Sequence, residues 1–454
     1  MFKFDPASLI PIAIIYFALF FDFFLLEGFV IVHPTLSNLH GWEDATLTPM
    51  LAICKFSMML TCPLVALASA RLAAHTILVV GIAFLAVSAL CLSFSHSVEM
   101  FAFAKVAHGI ASPSLTLSSM SILTYLAEET TRGQYASYGY TAISHGLLVA
   151  PFLTGKMVDR LGQFWAYMTI FSVIGATLVS AIVHFYDVPV MSCFVGRRKV
   201  KPSSGTSEDT ENSSPKPKDI KVFEPINKAQ LVRLLKTLMT NPLMLTAVTS
   251  CFLVGISVGS NESVLPVILK ETEREMHLSE STVDLIWTGG SVAYMLLATT
   301  TGFFADRIPP IRLVWGGMTG FILTFLFMAP VCSSLVGMIS FIALTGALTS
   351  FLDVAAYPLI ASVVDTANIP NAYIIGYSIE YCLEQAGYAI GQYSGGPLYE
   401  YAESLAPVAY MVASVDTALL LFTLFVMFVY PKDRFVKGGA TLEVEGAKIF
   451  QEEE

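Results

Sequence analysis

The chain has 454 residues, 55% of them apolar and only 13% charged, with a mean hydropathy of +0.68. That composition excludes a disordered chain and a collagen, and a net charge of -10, from 35 acids against 25 bases, argues against a basic nucleic-acid-binding face. Apolar stretches recur from residue 8 to residue 430, so the protein is predicted to cross a lipid bilayer many times.

A spanning helix needs roughly 20 mostly apolar residues, and twelve stretches qualify. In chain order they are 8–33, 46–68, 74–94, 99–126, 135–157, 164–186, 243–268, 283–304, 312–332, 335–362, 373–398 and 407–430. They are too long, and lack the alternation, for strands of a membrane barrel. The first carries Asp22 and Glu27 and no small-residue cleavage site, so it is not read as a signal peptide. Between the sixth and seventh lies a polar connection, 187–242, rich in Ser, Pro and Lys. It holds ten of the 25 bases: Arg197, Arg198, Lys199, Lys201, Lys216, Lys218, Lys221, Lys228, Arg233 and Lys236. Bases near spans gather on the cytoplasmic side, so this loop and both termini are predicted to be cytoplasmic. Arg71, Arg132, Arg307 and Arg312 then fall on that side, and Arg160, Lys270 and Arg274 on the other. The predicted organisation is a six-span bundle over 1–186, a linker over 187–242, a second six-span bundle over 243–430 and a cytoplasmic tail over 431–454. Within the linker, Ser203–Pro217 has the composition of disorder. Asn227–Thr237 has the pattern of an amphipathic helix at the membrane surface.

Eleven ionisable residues lie within spans or at their ends: Asp22, Glu27, Lys55, Lys105, His108, His145, Glu262, Asp353, Glu380, Glu384 and Asp416. A charge at the bilayer centre costs ~2.5–3.5 kcal/mol on insertion scales, so such residues are first read as functional. Asp22 sits among Phe20, Phe21, Phe23 and Phe24. It is predicted to bind a cationic substrate or a proton, with ring faces open to an organic cation. The competing structural reading pairs it with a lysine and leaves the rings to packing. Glu27 lies about 140° around the helix from Asp22, away from that site. Lys55 needs a partner, Asp416 or alternatively Asp22, and either a structural ion pair or direct proton coupling suits it. Lys105 and His108, three apart, share a helix face, where His108 either relays protons or makes a satisfied polar contact. Glu380 and Glu384, four apart, also share a face. Two acids there repel when both are ionised, which suits a proton site. Asp353 reads equally as coupling or packing, and Glu262 lies near a span end. The predicted substrate- and proton-binding set is therefore Asp22, Glu380, Glu384, Asp416 and Lys55. His108, Lys105, Asp353, Glu262 and Glu27 are the further coupling candidates.

The connections carry their own signals. After the eighth span comes Gly302-Phe-Phe-Ala-Asp306-Arg307, then Arg312; the equivalent place after the second reads Ala66-Leu-Ala-Ser-Ala70-Arg71. Glu128-Glu129-Thr-Thr-Arg132-Gly133 follows the fourth span, and Lys105-Val-Ala-His108-Gly109 lies inside it. The fifth holds Gly146-Leu-Leu-Val-Ala150-Pro151 and Gly155, and the eleventh Gly387-Tyr-Ala-Ile-Gly391 and Gly395-Gly396. In a twelve-span chain these resemble the motifs of the major facilitator superfamily, the last two its antiporter motif. Small residues four apart also simply permit tight helix crossing. Phe21-Asp22 with Pro34, Ile53-Cys54-Lys55 with Pro63, Glu262-Ser-Val-Leu-Pro266, Leu352-Asp353 through Pro358, the Gly387–Gly391 run and Val415-Asp416 are similar to the vesicular amine and acetylcholine transporters. The chain departs from that family where Tyr381 replaces an Asp, with Glu380 one residue earlier. Gly255 stands in place of an Asn, and the loop between the first two spans shrinks to Ser37–Thr46.

The resemblance implies an all-α membrane fold, two six-helix bundles around a central cavity that opens to either side in turn. It further implies a monomer exchanging protons for a small organic cation, driven by the proton gradient with no cofactor, in a secretory or synaptic vesicle membrane. Gly302, Asp306, Arg307 and Arg71 are expected to form a cytoplasmic gate. The rival readings are a plasma-membrane drug or metabolite antiporter and a non-transporting receptor on the same fold. No nucleotide loop, metalloprotease or hydrolase motif occurs, and the seven cysteines show neither disulfide nor zinc spacing. No catalytic or metal-binding residue and no nucleic-acid partner is predicted. The lack of Arg well inside any span argues against an anionic cargo.

Overall fold

The computed structural model describes residues 6–40, 44–186, 225–276, 280–332, 334–369 and 372–429. The predicted disordered stretch Ser203–Pro217 and the tail 431–454 lie outside them. Among the described residues all regular structure is helical: α1 (Pro6–His40), α2 (Asp44–Ser69), α3 (Ala74–Phe94), α4 (Val98–Leu126), α5 (Arg132–Tyr186), α6 (Lys228–Thr240), α7 (Pro242–Met276), α8 (Glu280–Ala305), α9 (Pro310–Leu326), α10 (Met328–Val331), α11 (Leu335–Thr366), α12 (Tyr373–Ala402) and α13 (Leu405–Val429). Each of the twelve predicted spans falls on this helical set.

Three boundaries differ from expectation. The fifth and sixth spans run together as α5, 55 residues long, and the predicted connection shrinks to Gly162 at φ 76° and ψ 161°. That left-handed φ is open to glycine and strained for other residues. The ninth span breaks at Phe327, with α10 continuing it as a single turn. The first span extends well beyond residue 33, to His40. Among the described residues, six helical stretches are long and apolar enough to cross a membrane by themselves, lying in α1, α3, α5, α7, α11 and α13. α4 and α12 fall outside that set because they carry polar residues into the interior.

The chain divides into two compact units. The first comprises Met1–Glu129 and Thr141–Pro225, the second Thr130–Tyr140 and Ile226–Glu454. The opening turns of α5 therefore belong with the second unit. In the first unit α4 is the central helix, packed against α1, α2 and α3. Its buried row includes Ser112, Ser114, Thr116, Ser118, Ser119 and Ser121. Several hydroxyls on α4 donate to the preceding turn, Ser114 to the Ile110 carbonyl at 2.8 Å and Thr124 to Met120 at 2.8 Å. A helix that satisfies its own hydroxyls can bury them without outside partners. Phe56, Leu60, Leu64 and Leu67 of α2 point outward, the pattern of a helix with lipid on its outer face.

In the second unit α7 lies along α12, and α11 packs against α7, α8 and α9. Glycines set the α7–α12 spacing. A Cβ at Gly255 would strike the Glu384 carbonyl oxygen, and one at Gly387 or Gly391 would strike the carbonyl of Phe252 or Ile256. The Gly387–Gly391 run therefore allows close backbone approach. In the first unit Gly146 plays the same part against Phe20 of α1, but Gly155 faces open space.

Candidate functional site

The first unit holds one carboxylate in a built polar site. Asp22, 1% exposed on α1, accepts from Ser112 Oγ at 2.8 Å through Oδ2. Its Oδ1 lies 2.9 Å from His108 Nε2. The two oxygens thus go to two residues of α4, one helical turn apart, rather than to Lys55 as the alternative pairing expected. Asp22 is also not presented bare to an organic cation. His108 is fully buried, and its Nδ1 has no partner among the described residues. One turn earlier on α4, Lys105 is 0% exposed, and its Nζ likewise has no hydrogen-bond partner among the described residues. Nζ sits 3.6 Å from the centre of the Phe29 ring, a cation–π contact that partly replaces water. The predicted sharing of a face by Lys105 and His108 is what the structure shows, and the face meets α1. Lys55 lies half-buried on α2 and acts electrostatically on Lys105. His145 accepts or donates at Nδ1 to the Tyr16 hydroxyl at 2.7 Å, and Glu27 is half-buried.

The second unit gathers acids. Asp353 of α11 is 6% exposed and Glu380 of α12 1% exposed, with Glu384 half-buried one turn on. The three carboxyls act on one another electrostatically. Tyr294 of α8 donates to Asp353 Oδ2 at 3.0 Å. Cys251 and Tyr357 reach Glu380, while its Oε2 has no partner among the described residues. Tyrosine rings line the cluster: Tyr140 lies 5.6 Å from Tyr357 and 6.5 Å from Tyr294, and Tyr357 4.5 Å from Tyr377. Asp353, left open between coupling and packing by the sequence, joins the two glutamates. Asp416 is fully buried on α13, accepts from Ser257 at 3.2 Å and leaves Oδ1 without a partner among the described residues. Glu262 accepts from Gln392 at 3.4 Å. The tyrosines and Cys251 were not among the residues singled out by sequence, since aromatic and thiol side chains in apolar spans carry no signal of their own.

Also in the second unit, the Gly302–Arg307 motif meets the start of α5. Asp306 Oδ1 accepts from the Gly133 backbone N–H at 2.7 Å, and Oδ2 from Gln134 at 3.2 Å. A carboxylate on the free N–H groups of a helix start is a favourable cap. Burial pushes the Asp306 carboxyl up, opposed by these N–H groups and by Arg307. Gly302 and Gly133 lie backbone to backbone, a Cβ on either falling within 2.7 Å of the other's carbonyl oxygen. Arg307 does not bridge to a neighbour but folds back, donating to its own Phe303 carbonyl at 2.9 Å. Arg71 is exposed. The ion pair falls instead on Arg132, which meets Asp365 at 2.5 Å and donates to the Tyr373 hydroxyl at 3.3 Å. Burial works against the Arg132 charge, but Tyr373 and Asp365 outweigh it and hold the guanidinium above its ordinary value.

A sequence model described as Major Facilitator Superfamily matches the chain over residues 12–272 and 251–451. The chain belongs to that superfamily. It is 23% identical over 336 residues to the chromaffin granule amine transporter of Rattus norvegicus, an alignment that takes in 73% of this chain and 56% of that relative. The chain thus matches little more than half the length of that protein. In fold it is similar to the human organic anion transporter MFSD10 (TETRAN), with a TM-score of 0.67 over 93% of this chain and 100% of the other, at 14% identity. It is a divergent, multi-pass membrane member of the superfamily, with the all-α fold of two six-helix bundles that the sequence motifs implied.

Proposed function

We propose that this chain is a secondary active transporter that exchanges protons for a small organic cation, an amine, by alternating access. The observation that carries the proposal is the cluster of Asp353, Glu380 and Glu384, three acids of α11 and α12 that share one neighbourhood. Burying several like charges together is costly unless they are neutralised. The cluster must therefore hold protons, a cation or both in turn, and competition between the two is the coupling step. Tyr140, Tyr294 and Tyr357 supply ring faces and hydroxyls for an ammonium group. Asp22 has a different part: its bond to His108 makes a two-member proton-holding pair in the first unit. The resemblance to an amine transporter supports the cargo class, and the acid excess disfavours an organic anion, the cargo for which MFSD10 is named. Cytoplasmic termini fit the placement of basic residues in the sequence, and a secretory vesicle membrane is suggested by the resemblance to the chromaffin granule amine transporter.

Proteoliposomes with an imposed pH gradient test this. Uptake of a panel of amines, with one organic anion as control, is followed together with lumenal pH for wild type and Glu380→Gln. The expected result is amine-dependent proton efflux in wild type. In Glu380→Gln, uphill uptake falls at least about tenfold while amine–amine exchange persists. Uphill amine uptake unaffected by Glu380→Gln, or uptake of the anion alone, overturns the proposal.

A further inference from the structure

Helix α6 is a short cationic helix outside the predicted spans, and its side chains fall into sectors. Leu234 and Leu238 are 0% and 1% exposed, on the side that packs against α7 and α11. At about 100° per residue, Val232, Leu235 and Met239 lie together on an adjoining arc. They are 66%, 38% and 68% exposed, an apolar stripe that no described residue covers. Arg233 and Lys236 lie along one side of it and Lys228 at its N-terminal end, and the helix contains no acid. A capping box of Asn227 and Gln230 fixes its start, with both bonds at 2.9 Å. Its end is fixed by position. Only Asn241 separates Thr240 from α7, which begins at Pro242 and continues at once into apolar sequence. The stripe therefore lies within a turn or two of the point where α7 enters the bilayer.

A helix with one face on protein, the next apolar and exposed, and cations at the rim has the pattern of an interfacial anchor. We infer that the stripe of Val232, Leu235 and Met239 docks into the adjacent bilayer surface, and that Lys228, Arg233 and Lys236 select anionic phospholipid headgroups there. The occupant is lipid because the stripe sits at bilayer level and its charge is wholly positive. A negative lipid surface attracts such bases over a Debye length. The proposal is independent of what the transporter carries.

Hydrogen exchange of the full chain in nanodiscs tests it, read on the amides of residues 228–240. In phosphatidylcholine containing about 20% phosphatidylserine, exchange should be about tenfold slower than in phosphatidylcholine alone. High salt should remove the difference, as should the triple variant Lys228→Gln, Arg233→Gln, Lys236→Gln, which touches none of the buried contacts. Equal exchange in the two lipids overturns the proposal. So does protection that is the same in detergent, which would assign the stripe to another segment of this chain. Protection that grows with protein density in the disc also overturns it, assigning the stripe to a second copy.

Discussion

The two units bury their acids in opposite ways. The first seals one carboxylate, Asp22, with a histidine and a serine, and carries a lysine one turn earlier on α4. The second gathers Asp353, Glu380 and Glu384 among tyrosines and a thiol. The first arrangement satisfies its charge internally and has something to lose when Asp22 is changed. The second crowds its acids together and has something to gain from a neutral substitute. Like-looking mid-span acids therefore carry different physical meaning, set by what their neighbouring helices bring.

The largest expected effect removes the scaffold on one side of this comparison. Gly391→Leu would drive a side chain into the Ile256 carbonyl on α7 and force apart the helices that position Glu380. The expected cost is about 3 kcal/mol or more. It should be read as loss of the monodisperse peak in detergent, whereas Gly155→Leu, facing open space, should leave that peak intact. The middle effect sets the two acids against each other. Asp22→Asn weakens a charge-assisted bond to a buried histidine and should lower stability by about 1–3 kcal/mol. Glu380→Gln replaces an acid with a neutral isostere and should raise the melting temperature or leave it unchanged. If both variants melt lower by similar amounts, the contrast between the units fails. The smallest effect tests the α5 cap in the second unit. Asp306→Asn keeps one acceptor for Gly133 and Gln134 but loses the charge, and should cost about 0.5–1 kcal/mol. Faster exchange confined to the Gly133–Ser137 amides would show it.

The spans were legible because twelve long apolar runs leave no other fold, and the motifs placed them in one superfamily. The one-turn spacings were legible too: Lys105 with His108, and Glu380 with Glu384, follow from helix geometry alone. Partnerships between helices were not. His108 and Asp22 are 86 residues apart, and nothing local to Asp22 distinguishes a histidine partner from Lys55. Arg132 was seen only as part of a loop motif, because its partner Asp365 lies 233 positions away, 365 minus 132. The connection between the fifth and sixth spans falls inside the predicted gap, at Gly162, but is shorter than its residues suggest. Arg160 and Gln163 look like a polar loop, yet both lie within helical backbone on either side of Gly162.

That joint bears on how the protein is made. Two apolar segments joined at a single non-helical residue, with Asp159 and Arg160 carried on the helix itself, leave little chain for one to wait in water while the other partitions into lipid. Their entry into the bilayer is expected to be coupled. A lengthened joint at Gly162 would thus disturb membrane insertion during synthesis before it disturbed any step of transport.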